Sequence, residues 1–208
     1  MFKTPLSWYL LTLAAIAGLT LVGPAEKSLG ANVRVVYLHG AWVWAALACF
    51  VAAGLTGLAG LLRRSAGLHA WSRSLGLAGL IFWISYLPIS VWAMETNWNG
   101  MFLAEPRFRV AVVFAVGGLL LQAGVALLGR PAWASLSNLV YIALLIWVLW
   151  STPKVMHPPS PILHCEAQRI QLYFFGLVGL TLLLAGQTAN LLRRAEPATV
   201  RAANSSII

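Results

Sequence analysis

The sequence predicts an all-α fold, a polytopic membrane bundle of six transmembrane helices, and three observations carry that prediction. Hydrophobic residues make up 60% of the 208-residue chain and charged residues only 9%. With a mean hydropathy of +0.82, this is far too apolar for a soluble domain of its size. Six segments are long enough to cross a hydrocarbon core, which takes about 20 mainly apolar residues. The basic residues behind the formal charge of +9 fall in short clusters between those segments. They read as topology signals, so nucleic acid is not among the expected partners and membrane lipid is.

The first span, 6–22, follows Lys3 as an exported signal would, but Val22-Gly23-Pro24 is a poor small-residue cleavage site and the apolar run is long. It reads as a retained helix. The second, 33–62, exceeds what a bilayer requires, so its first turns around Tyr37 and His39 are expected in the interface or the outer aqueous layer. The third, 75–94, contains Pro88, which should kink it and free a carbonyl. The fourth is 108–128; the fifth, 136–150, is short and is expected to tilt or to end at Pro153. The sixth is 170–192. Residues 1–194 then form a single six-helix domain and 195–208 a short flexible tail. Small residues at 54–60 and at Gly76, Gly79, Gly117 and Gly118 are expected to let helices approach closely.

Charge orients the bundle. With a cytoplasmic N-terminus the inside holds Lys3, Arg63, Arg64, Arg73, Arg130, Arg193, Arg194 and Arg201 against Glu196. The outside holds Lys27, Arg34, Arg107, Arg109, Lys154 and Arg169, with Glu26, Glu95, Glu105 and Glu166. That asymmetry follows the positive-inside rule and puts both termini in the cytoplasm, with the bacterial inner membrane as the expected site. Six spans also place His39, the 98–107 loop and His157 on one face, whichever way the bundle points. The opposite loops, 63–74 and 129–135, are short and basic, and His69 in the first of them is expected to be solvated.

Several residues have a purely structural reading. Trp42, Trp44, Trp71, Trp133, Trp147 and Trp150 lie mostly near span ends, where aromatic belts form. Cys49 and Cys165 are too differently placed for a disulfide framework or a redox pair. His164 beside Cys165 lacks the further ligands that zinc needs. No phosphate-cradling glycine loop, Ser-His-Asp set or paired carboxylate occurs, which argues against an ordinary hydrolase or ATPase.

Three segments resemble one family. Tyr37-Leu38-His39-Gly40-Ala41-Trp42 resembles the Y-x-H-x-P-x-A-W segment of the haem-handling membrane proteins of cytochrome c maturation, the CcmC, CcmF and CcsA family. Met156-His157-Pro158-Pro159-Ser160 resembles their L-H-Q-P-x-S segment with the second external histidine. Residues 98–107 are similar in register to the tryptophan-rich haem-binding loop, with Trp98, Glu105 and Arg107 at matching places. Met101, Phe102, Leu103 and Ala104 stand where the family has most of its tryptophans. The likeness runs from Val33 to Leu192 and is nearest the six-helix CcmC type.

The resemblance implies haem of b type, held non-covalently and presented or transferred at the outer face during c-type cytochrome biogenesis. Neutral imidazole is a good ligand for haem iron, so His39 and His157 are the expected axial pair. Trp98, Phe102, Trp42 and Trp92 would meet the porphyrin faces, and Arg107, Arg109 or Lys154 its propionates. Glu105, counted with these cofactor-binding residues, is expected to pair with Arg107 and shape the loop. Partners implied are a haem acceptor or complex subunits in the membrane or periplasm. The replaced tryptophans support another reading, a non-catalytic CcmC-like subunit that scaffolds a larger respiratory, photosynthetic or transport complex. A quinone-reactive b-type cytochrome fits less well, because it would bury its histidines within the bundle.

Overall fold

The computed structural model describes residues 4–153, 155, 162 and 167–195, and the regular structure among them is helical. Six helices follow in order: α1 (Pro5–Leu21), α2 (Val33–Arg63), α3 (Ala66–Trp98), α4 (Pro106–Leu128), α5 (Pro131–Ser151) and α6 (Gln168–Ala195). Helices α2 to α6 are each long and apolar enough to cross a membrane, which marks an integral membrane protein in contact with lipid. α1 is apolar but has only 17 residues, or about 26 Å of axis against a core of about 30 Å. The expected tail, 195–208, lies outside the described residues apart from Ala195, the last residue of α6.

Local chemistry sets the helix ends. Pro5, Pro106 and Pro131 each open a helix, where a missing N–H costs nothing. Thr4 and Glu105 accept backbone N–H groups of Ser7 and Phe108 at 3.3 and 2.9 Å. Left-handed residues Arg64, Asn99 and Gly129 terminate α2, α3 and α4. Before α2, the Glu26 carboxylate accepts the N–H groups of Leu29 and Ser28, which hold its pKa below the usual carboxylate value.

Two expected loops are almost entirely helix. The connection between α2 and α3 is only Arg64 and Ser65, and that between α4 and α5 only Gly129 and Arg130. His69, expected in solvent, is buried in the first turns of α3, with Nδ1 2.6 Å from Ser135 Oγ. Hydropathy marks lipid-facing surface, whereas these polar turns remain helical by facing each other inside the bundle. α3 likewise begins well before the expected span and runs through Pro88 without ending.

α2 and α3 pack as a long hairpin, and α2 also meets α5 and α6. Trp83 is almost wholly buried at the centre of the core. Its Nε1–H donates to the Ala111 carbonyl at 3.0 Å, and the Tyr141 hydroxyl donates to the Phe114 carbonyl at 2.8 Å. Aromatic bodies thus fill the core while their polar tips find α4 carbonyls, as a site without water demands. α1 lies antiparallel along α6: the Tyr173 hydroxyl donates to the Leu19 carbonyl at 3.0 Å and Gln187 Nε2 to Thr12 Oγ1 at 3.1 Å.

Candidate functional site

Side-chain bonds tie together the helix ends that carry the expected site. Asn32 Nδ2, at the start of α2, donates to the Thr96 carbonyl near the end of α3 at 3.1 Å. Arg107 Nη2, at the start of α4, donates to the Leu149 carbonyl near the end of α5 at 3.3 Å. One end of the bundle therefore gathers the starts of α2 and α4 and the ends of α3 and α5. Any bundle in which α2 to α5 all cross must do this, whether or not α1 crosses too.

His39 lies about 9 Å along α2 from its first residue, at 1.5 Å per residue. Its ring is half-buried beside Tyr86, with centroids 5.5 Å apart. Tyr86 in turn meets Trp83 edge-on at 5.0 Å, so the imidazole is continuous with the aromatic core. Trp98 is the last residue of α3 and is partly buried. Trp92 and Phe102 are 53% and 43% exposed, and with exposed Met101 and Leu103 they give this end apolar surface. His157 and Lys154 lie outside the described residues, so the expected pairing of two imidazoles rests on chain order.

Three expected site residues are engaged elsewhere. Trp42, read as a belt residue or a porphyrin contact, packs on Phe82 at 5.1 Å between ring centroids and donates from Nε1 to Ser85 Oγ at 2.8 Å. Glu105 is buried and caps α4 through one oxygen, while Oε1 has no hydrogen bond among the described residues. Arg107 holds the α5 terminus through Leu149 rather than facing outward alone. Only Arg109, of the two α4 arginines, is exposed. Where pairing with Arg107 was expected, the Glu105 carboxylate caps α4 at the Phe108 N–H. Glu105→Ala should accordingly lower stability by about 1 kcal/mol, the usual cost of a lost cap. Thermal unfolding in detergent checks this, and an unchanged midpoint would show that the cap is not needed.

At the opposite half of the bundle lies a polar cluster that the sequence reading missed. Asn138 Nδ2 donates to the Ser72 carbonyl and hydroxyl at 2.8 and 3.1 Å, and Gln122 Nε2 donates to Asn138 Oδ1 at 2.9 Å. Ser72 Oγ donates to the Ala53 carbonyl at 2.8 Å. The cluster thus joins α2, α3, α4 and α5, with the His69–Ser135 contact beside it. A usable signal existed: Gln122 and Asn138 are amides inside apolar spans, where polar side chains face the bundle and find partners. The described residues contain no group of three or more His, Cys, Asp or Glu suited to a metal ion.

Comparison of the chain with protein-family models, curated proteins and solved structures finds no match. The family likeness therefore stands on its three motifs and their order.

Proposed function

We propose that the protein handles haem at the outer face of a bacterial plasma membrane, presenting or transferring it in c-type cytochrome biogenesis. Haem in this reading is cargo of b type, held without covalent bonds. The observation that supports it best is His39, an imidazole set beside Tyr86 at the bundle end that also exposes Trp92 and Phe102. A second imidazole from His157 would complete the axial pair. α1 is proposed to make the sixth crossing, its shortfall of a few ångströms met by local thinning of the bilayer. Both termini are then cytoplasmic, in line with the charge asymmetry.

The described residues fit this cargo in part. His39 offers a ligand nitrogen, Trp92, Phe102 and Trp98 offer apolar area, and exposed Arg109 suits a propionate. Trp42, Glu105 and Arg107 add less to the fit, since each spends a polar atom on the fold. Purified from haem-replete cells, the protein should carry a Soret band that His39→Ala and His157→Ala each remove or shift. A colourless protein, or a band indifferent to both changes, would rule the reading out.

The internal engagement of Trp42, Glu105 and Arg107 favours a second reading, a non-catalytic CcmC-like subunit that scaffolds a larger membrane complex. The same preparation separates the two, because a scaffold is colourless and leaves mild detergent with other membrane subunits in fixed ratio.

A further inference from the structure

We propose that the cleft between the first turn of α1 and the last turns of α6 binds the headgroup of an anionic glycerophospholipid with free hydroxyls. The cleft holds about 310 Å³ and is lined by Thr4, Trp8, Gln187, Asn190 and Arg194. That is many times the space one water occupies. It lies at the bundle end where basic residues gather.

Two unmet demands define the ligand. The first is charge. Arg194 is exposed at the cleft, and α1 and α6 contain no acidic residue. The α1 N-terminal dipole attracts an anion and the α6 C-terminal dipole opposes it, so the guanidinium decides the sign. Neighbouring Arg193 is drawn the other way, stacked 4.4 Å over Trp71, which leaves Arg194 as the cleft's cation among the described residues. The second demand is for a hydrogen-bond donor. Gln187 uses Nε2 on Thr12, and Thr12 in turn donates to the Trp8 carbonyl. Gln187 Oε1 is sealed from solvent with no hydrogen bond among the described residues; leaving such an acceptor unmet costs free energy, which a ligand hydroxyl would recover once the amide turns toward the cleft that Gln187 lines. A phosphodiester meets Arg194 and a headgroup hydroxyl meets Gln187; a choline headgroup supplies no donor. Basic clefts between helices at a membrane surface bind anionic headgroups on the same physics.

The test is native mass spectrometry and thermal unfolding of the full chain in detergent with phosphatidylglycerol, phosphatidylcholine, phosphatidylethanolamine, phosphatidic acid or glycerol 3-phosphate. Phosphatidylglycerol should be retained about ten times more than phosphatidylcholine and should raise the melting temperature. Arg194→Gln should reduce it to the phosphatidylcholine level, and Gln187→Leu to the phosphatidic acid level. Gln187→Glu, which keeps the shape and sets a carboxylate against the phosphate, should abolish retention even if Arg194→Gln folds poorly. Equal retention of phosphatidylglycerol, phosphatidylethanolamine and phosphatidylcholine would overturn the proposal, as would indifference to all three variants. A full effect from glycerol 3-phosphate would assign the cleft to a soluble phosphate ester instead and equally refute a lipid site.

Discussion

Gly57→Ala should destabilise the detergent-solubilised protein by about 1–3 kcal/mol, the usual cost of forcing extra volume into a packed core, and Gly57→Leu should prevent folding. A Cβ at Gly57 would lie 2.8 Å from the Ser135 carbonyl oxygen, 2.9 Å from Ser72 Oγ and 3.2 Å from Ser135 Cα. Two of those atoms are α5 backbone and cannot swing aside, so the whole of α5 has to move. That movement would pull on the Asn138 bonds to Ser72 and on the His69–Ser135 contact together. Gly117→Ala is the matched control, because a Cβ there meets nothing within 4 Å. Removing a flexible glycine from a helix interior should then stabilise by roughly 0.5–1 kcal/mol. Thermal or denaturant unfolding of the two variants decides it, and equal stabilities would mean that α2 and α5 are less closely set than the structure has them.

The same pair of glycines shows how far the sequence could be read. Gly57 and Gly117 both sit among small residues in apolar spans, and both were expected to bring helices together. Only one does, because which face of α4 turns inward depends on packing that short-range pattern does not encode. Membrane class and helix number were legible for a simpler reason: lipid imposes a single, long apolar signal on each span. The first turns of α3 were not legible as helix, since residues such as His69 and Ser72 lower hydropathy where α3 has already begun. Their polarity is spent inside the bundle, so it resembles a loop only to a reader without the partners Ala53, Ser135 and Asn138.

The candidate site was legible to a similar depth. Chain order alone put His39 and the 98–107 segment at one end, and the end-to-end bonds of Asn32 and Arg107 agree with it. Side-chain direction was not available from order. Trp42 turned toward Phe82 and Glu105 toward the α4 N-terminus, while Tyr86, unremarked among apolar neighbours, became the ring that touches His39. One-dimensional spacing finds which residues share a bundle end; it does not find which of them face one another across it.

Asn138→Leu should cost about 2 kcal/mol, and its effect should be strongly coupled to that of Gly76. The amide makes three side-chain hydrogen bonds to Ser72 and Gln122, and interhelical bonds inside membrane bundles are worth on average about 0.6 kcal/mol each. Leucine removes all three and presents a branched apolar end to Gln122, whose amide is then left without its acceptor. Gly76 faces the same group: a Cβ there would lie 2.5 Å from Asn138 Oδ1 and 2.7 Å from Nδ2. Gly76→Ala therefore acts by displacing the Asn138 amide and breaking the bonds that Asn138→Ala deletes. The two costs cannot both be incurred in full, so Gly76→Ala should be severe alone and mild in an Asn138→Ala background. A double-mutant cycle on unfolding free energies should give a coupling of about 1 kcal/mol or more, in the range of residues in direct contact. Additivity within about 0.5 kcal/mol would show that the amide does not sit over Gly76, and the polar junction of α3, α4 and α5 would have to be redrawn.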